Sequence, residues 1–168
     1  MICYRDKLDS PIGIIDLAAI DKGLVYCGSQ RVAGPDMDTW LIKNLPDFEL
    51  KEGENLIIHM AKTQLRAYFA GEEKKIDVPL YLVGTEFRKK VWEALKTIPY
   101  GETRTYGEIA KQIGNPKGAR AIGQANHNNP ISYFVPWHRV IGAGGDLVGF
   151  GGGLDTKKWL LNLEGIEC

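Results

Sequence analysis

Apolar residues gather in three short runs at the start of the chain, residues 2–8, 12–20 and 24–28, and these predict three strands. Ser10-Pro11-Ile12-Gly13 and Asp21-Lys22-Gly23 separate them as turns, the second with the look of a hairpin. Residues 29–54 are polar, with Gly34-Pro35 and Pro46, and read mostly as loop. Asn55 is placed to cap a helix over 56–70, in which Ile57, Met60, Ala61, Leu65, Tyr68 and Phe69 share one face and Gly71 ends the run. A short extended piece, 76–83, closes this half.

The second half reads as helical. Thr85 can cap a helix whose Phe87, Val91, Trp92 and Leu95 form an apolar stripe, stopped by Pro99-Tyr100-Gly101. Thr105 and Glu108 have capping-box spacing and open a short helix that Gly114 closes. Asn115-Pro116 then reads as an immediate restart, Asn at the cap and Pro at the first helical position, running to about Asn126. Two short helices joined so tightly suggest a helix-turn-helix, with a purely structural helical hairpin as the alternative. A last helix is expected from Asp155 to Gly165, with Leu154 and Trp159 spaced as a hydrophobic staple. The expected fold is an α+β N-terminal domain, residues 1–83, and a mainly α C-terminal domain, residues 84–168, carrying the helix-turn-helix.

Composition adds limits. The 168 residues suffice for one ordinary domain or two small ones. Neither a membrane span nor a secretory leader is seen, so an intracellular location is expected. Three widely spaced cysteines, Cys3, Cys27 and Cys168, argue against a disulfide scaffold. Net charge is zero, yet residues 1–83 hold 10 Lys/Arg against 13 Asp/Glu and residues 84–168 hold 11 against 8. A positive C-terminal half points weakly to an anionic partner.

Two segments concentrate the chemistry. Residues 117–126, Lys-Gly-Ala-Arg-Ala-Ile-Gly-Gln-Ala-Asn, leave little side chain beyond Arg120. Such a bare helix suits either close approach to a DNA minor groove, with Arg120 inserted into the base stack, or close packing against another helix. Pro136-Trp137-His138-Arg139-Val140, following Asn129-Pro130, could form a catalytic or binding loop, or merely hold a structural histidine. The glycine-rich run 142–153 lacks the strand-to-helix context of a nucleotide fold.

The motifs Gly84-Thr85-Glu86-Phe87, Tyr106-Gly107-Glu108-Ile109-Ala110, the run from Gly114 to Gly123, Asn129-Pro130, His138-Arg139-Val140, Gly149-Phe150-Gly151-Gly152-Gly153-Leu154 and Leu163-Glu164-Gly165 together resemble the O6-alkylguanine-DNA alkyltransferases, also called methylated-DNA–protein-cysteine methyltransferases. Leu8-Asp9-Ser10-Pro11-Ile12-Gly13 resembles an N-terminal family segment. The resemblance implies base flipping, with Arg120 as the arginine that replaces the extruded nucleotide and Tyr106 helping to rotate the phosphate. It implies that Asn129 supports the reaction turn, and that Val140, Phe150 and Gly151 form pocket walls. Arg139 joins this DNA- and base-binding set, while His138 and Glu164 match the relay that draws the proton from the family's cysteine.

The family reads Pro-Cys-His-Arg-Val where this chain has Pro136-Trp137-His138-Arg139-Val140. Alkyl transfer needs a thiolate, and an indole offers no usable lone pair for the attack. The variant motif resembles the alkyltransferase-like proteins, which implies a non-enzymatic sensor: a monomer that binds duplex DNA containing O6-alkylguanine, without alkyl transfer, and signals to nucleotide excision repair proteins. Most such proteins are short single domains, and this chain keeps a full N-terminal part. Trp137 would then stack on the flipped base or simply fill the space of the lost site. No metal or other cofactor is expected. Two alternatives stand beside this reading: a methyltransferase, active through another residue or with its cysteine replaced, and a helix-turn-helix regulator without lesion recognition.

Overall fold

The computed structural model describes residues 1–29, 36–145 and 153–168, which divide into two compact units. Of the described residues, the first comprises 1–29, 36–83 and the five residues Pro130–Phe134; the second holds Gly84–Asn129, 135–145 and 153–168. The chain has an α+β N-terminal part and a mainly helical C-terminal part with a helix-turn-helix.

In the first unit, β1 (Ile2–Ser10), β2 (Gly13–Ile20) and β3 (Gly23–Ser29) form an antiparallel meander. Helix α1 (Met37–Asn44), strand β4 (Glu49–Glu52) and helix α2 (Leu56–Phe69) follow, and β4 pairs parallel to β1, giving the order β3-β2-β1-β4. Alternation along β2 sends Ala18 and Ile20 to one face and Ile15, Leu17 and Ala19 to the other. The first face packs with Trp40 and Leu41 of α1, whose Asp38 pairs with Arg5. On the opposite face, Lys62 of α2 reaches Asp6 at 2.6 Å. Both faces are therefore covered, and the sheet interior is almost wholly apolar.

Helix α1 and strand β4 correct the expectation of loop over 29–54. Asp36 caps α1 by accepting the Thr39 amide at 3.0 Å. Strand β4 reads Glu-Leu-Lys-Glu and is an edge strand, so pairing rather than burial makes it extended: Glu49 donates to the Met1 carbonyl at 2.9 Å. The 76–83 piece is not a ladder strand. It touches the sheet through a single bridge, Leu24 to Leu80, where a Cβ on Gly23 would lie 2.7 Å from the Pro79 carbonyl oxygen.

The second unit contains α3 (Glu86–Leu95), β5 (Arg104–Thr105), α4 (Tyr106–Gln112), α5 (Ala119–His127), a 3-10 turn (Trp137–Arg139), β6 (Val140–Ile141) and α6 (Leu154–Leu163). Thr85 caps α3, and the Thr105–Glu108 capping box opens α4. The Trp92 indole donates to the Ala125 carbonyl at 2.9 Å, tying α3 to the last turn of α5.

Two boundaries differ from expectation. Helix α5 begins at Ala119 with Gly118 as its cap, not at Asn115-Pro116. Asn115 is already used: its amide closes the end of α4 on the Ala110 carbonyl at 2.8 Å, beside Gly114 at φ +79°, and its own carbonyl accepts the Gly118 amide. Helix α6 starts at Leu154, one residue early, which leaves Leu154 51% exposed inside the helix rather than stapled ahead of it.

Candidate active site

The centre of the second unit is a buried ionic cluster at the Trp137–Arg139 turn. Glu164, just past the end of α6, accepts four hydrogen bonds: His138 Nε2 at 2.8 Å, Arg139 Nε at 2.8 Å, Arg139 Nη2 at 3.0 Å and the Gly101 amide at 3.0 Å. Arg139 also donates to the Ile98 carbonyl at 2.8 Å and lies over the Tyr100 ring. Tyr100 in turn donates to the Leu163 carbonyl at 3.1 Å.

Burial alone would raise the Glu164 pKa, but the hydrogen bonds and charges of His138 and Arg139 outweigh it and hold the carboxyl well below the usual range. His138 is pushed down by burial, against the pull of Glu164. A neutral imidazole donating from Nε2 to the carboxylate carries its basic lone pair on Nδ1. The cluster is thus a buried histidine held by an ionised carboxylate whose charge Arg139 balances.

The predicted site residues fall in distinct places. Trp137, His138, Arg139 and Val140 are consecutive and buried, and Glu164 joins them. Arg139, expected at the DNA surface, instead spends its donors inward on Glu164 and Ile98, because a buried carboxylate needs a buried cation. Trp137 is 3% exposed, so its ring is covered by the protein rather than standing open as a stacking platform. Asn129 donates from Nδ2 to the Val135 carbonyl at 3.0 Å, bridging the residues on either side of the 130–134 segment. Tyr106 is half-buried at the start of α4, and burial raises its phenol pKa against a hydrogen bond to Asn126. Arg120 is exposed on α5. Phe150 and Gly151 lie outside the described residues.

One contributor escapes a motif-based reading. Lys157 is 1% exposed, and its ammonium donates to the Val140 carbonyl at 2.5 Å; burial pushes its pKa down to about 8. Its signal was positional. Lys157, Leu160, Leu161 and Glu164 follow helical spacing along one face of α6, so a lysine stands where the core stripe begins.

Comparison with known proteins covers both units. Residues 3–82 match the family model described as 6-O-methylguanine DNA methyltransferase, ribonuclease-like domain, and residues 86–166 match 6-O-methylguanine DNA methyltransferase, DNA binding domain. A methylated-DNA–protein-cysteine methyltransferase of Methanosarcina acetivorans is 53% identical over 166 residues, covering 96% of this chain and 98% of that protein. One from Mycolicibacterium paratuberculosis is 50% identical over 165 residues, covering 98% and 93%. The crystal structure of Mycobacterium tuberculosis OGT in complex with DNA superposes with a TM-score of 0.85 at 46% identity, covering 96% and 93%.

These findings overturn the reading of the chain as a non-enzymatic sensor that hands lesions to excision repair. The similar proteins are methyltransferases by name, and they match from end to end, N-terminal part included. The expectation rested on one position. A tryptophan there removes one nucleophile, but it removes neither the His138–Glu164 pair nor the other thiols of the chain. With both units matched, the chain belongs to the 6-O-methylguanine DNA methyltransferase family.

Proposed function

We propose that the protein is a DNA-repair alkyltransferase that moves an alkyl group from guanine O6 in duplex DNA to one of its own cysteine thiols. The observation that carries this reading is the buried His138–Glu164–Arg139 cluster, a positioned base kept in full beside the reaction turn. In the transfer a thiolate sulfur attacks the alkyl carbon, the carbon–O6 bond breaks, and guanine leaves as its anion and takes up a proton. A base is needed to generate the thiolate, and His138 would supply it to a thiol at position 137.

The acceptor is a thiol other than position 137. Cys3 and Cys27 are buried, and burial pushes the Cys3 thiol up to about 11 and Cys27 higher still, which leaves both protonated and inaccessible. Cys168, four residues beyond Glu164, is exposed, and we assign it as the acceptor. DNA engagement falls to the α4–α5 helix-turn-helix. Exposed Arg120 would enter the base stack and Tyr106 would contact the rotated phosphate, so that the alkylated base is extruded before reaction. Val140, Asn129 and the Trp137 turn would frame the base, as the family resemblance implies.

Peptide mapping after incubation with a duplex carrying O6-methylguanine tests this. The added methyl should map to Cys168, and Cys168→Ser should abolish the gain. Retention of the full gain in Cys168→Ser would overturn the assignment. Trp137→Cys, which restores a thiol beside His138, should accept the methyl at 137; its failure would show that the base cluster is not competent.

A further inference from the structure

Among the described residues of the second unit, Lys157 is the only buried lysine. Its place is unfavourable for a charge. It stands near the N-terminal end of α6, where the helix dipole disfavours a cation, and burial pushes its pKa down to about 8. An apolar side chain there would extend the Leu160 and Leu161 stripe without that cost. Core packing therefore does not explain the ammonium, and its contacts have to.

The ammonium donates to the Val140 carbonyl at 2.5 Å. Val140 is fully buried and is tied at both ends. Its amide donates to the Trp137 carbonyl and closes the 3-10 turn, while its carbonyl takes the Lys157 hydrogen bond. Only His138 and Arg139 lie between, and Arg139 is fixed to Glu164 beyond the other end of α6.

Val140 also opens β6, which runs parallel to β5 with Arg104 beside Val140 and Thr105 beside Ile141. Thr105 is itself the cap of α4. Its hydroxyl accepts the Glu108 amide at 3.1 Å, and its own amide donates to the Glu108 carboxylate at 2.9 Å. The next residue, Tyr106, is the first of α4. One short strand pair thus joins the turn that carries Trp137 to the head of the helix-turn-helix. A pairing of two residues on each side is marginal alone and needs one strand held from outside the ladder. Lys157 supplies that hold from α6.

We propose that Lys157 is a positioning residue: by holding the Val140 carbonyl it keeps β6 in place against β5 and so fixes the spacing between the Trp137–Arg139 turn and Tyr106. In the proposed function the turn and Tyr106 act on one extruded nucleotide, so their spacing has to be constant. The inference rests on that reading only for the purpose of the spacing; the coupling itself belongs to the protein without DNA.

The test uses the full chain without DNA, one sample labelled with 5-fluorotryptophan and another with tyrosine carrying carbon-13 in its ring. Trp137→Phe and Tyr106→Phe assign the two NMR lines that matter. Both are followed from about pH 7 to about 9.5, a window that spans the Lys157 value of about 8. Of the charged groups near Lys157, Arg139 and Glu164 pair with each other, and His138 is already neutral in this window. Tyr106 ionises above it, because burial raises its phenol.

In the wild type both lines should move with one midpoint near pH 8, as the hydrogen bond to Val140 loses its charge. In Lys157→Met, which keeps the length and apolar bulk of the side chain, both lines should stand displaced at neutral pH and show no such step. The Trp92 line, which reports α3, should stay native throughout. A step confined to one of the two lines, or absent from both, would overturn the proposal, as would a step that persists in Lys157→Met. The wild-type titration decides by itself should Lys157→Met fail to fold. Because neither DNA nor transfer enters the readout, a failure of the alkyltransferase reading would leave the result intact.

Discussion

Replacing Glu164 by glutamine is the sharpest perturbation of the buried cluster. The carboxylate accepts four hydrogen bonds, three of them from the side chains of His138 and Arg139. Glutamine keeps one oxygen and turns its second terminal atom into a donor facing donors. It also leaves the Arg139 guanidinium buried without a counter-charge. Breaking a buried ion pair by removing one partner costs about 3–5 kcal/mol. For a chain of this length each kcal/mol lowers Tm by about 2–4 °C, so Glu164→Gln should melt roughly 6–20 °C below wild type at pH 7. Thermal unfolding followed by near-ultraviolet circular dichroism measures this. Because the folded pKa of Glu164 lies below its unfolded value of about 4.3, its stabilisation is fully present above that pH and is lost as pH falls through the folded value. The gap between wild type and variant should therefore stay level from neutrality into mild acid and close only on strong acidification. A loss below about 1 kcal/mol at pH 7, the range of exposed pairs, would refute the reasoning.

Further expectations concern single contacts. Lys157 has its folded pKa pushed down to about 8 from 10.5, so the unfolded chain binds the extra proton between those values and stability should rise with pH across them. Denaturant titrations at both ends of the window should show the rise in wild type and its absence in Lys157→Met; parallel behaviour would contradict it. Thr105→Ala removes the α4 capping box and should cost about 1 kcal/mol in the same assay, with no change meaning that the cap is dispensable. Arg120→Ala, on an exposed face of α5, should change stability by no more than about 0.5 kcal/mol while weakening duplex binding in a fluorescence titration; undiminished binding would remove Arg120 from the interface.

Local signals carried most of the fold. Asn55, Thr85 and Thr105 each cap the helix expected of them, because capping depends on a side chain and an amide three residues away. Strand β4 was illegible for the opposite reason: Glu-Leu-Lys-Glu is extended only because β1 lies beside it. The start of α5 was misread because Asn115 had two competing local uses, and the end of α4 claimed it.

The site divided along similar lines. His138 and Glu164 were visible as family positions, and the structure brings them within 2.8 Å across 26 residues of sequence. The inward turn of Arg139 was not visible, since nothing local says which way an arginine beside a histidine will point. Trp137 was conspicuous and misleading. The chemistry of an indole is clear, but it bears on one side chain, and the functional inference drawn from it did not survive comparison with the chain's relatives.

The central claim is alkyl transfer to the protein, and intact-mass spectrometry of the purified chain incubated with an excess of O6-methylguanine duplex tests it most directly. The expected result is a stoichiometric gain of one CH2 on the protein, with the duplex restored to guanine. Binding of the duplex with no change in protein mass would contradict it.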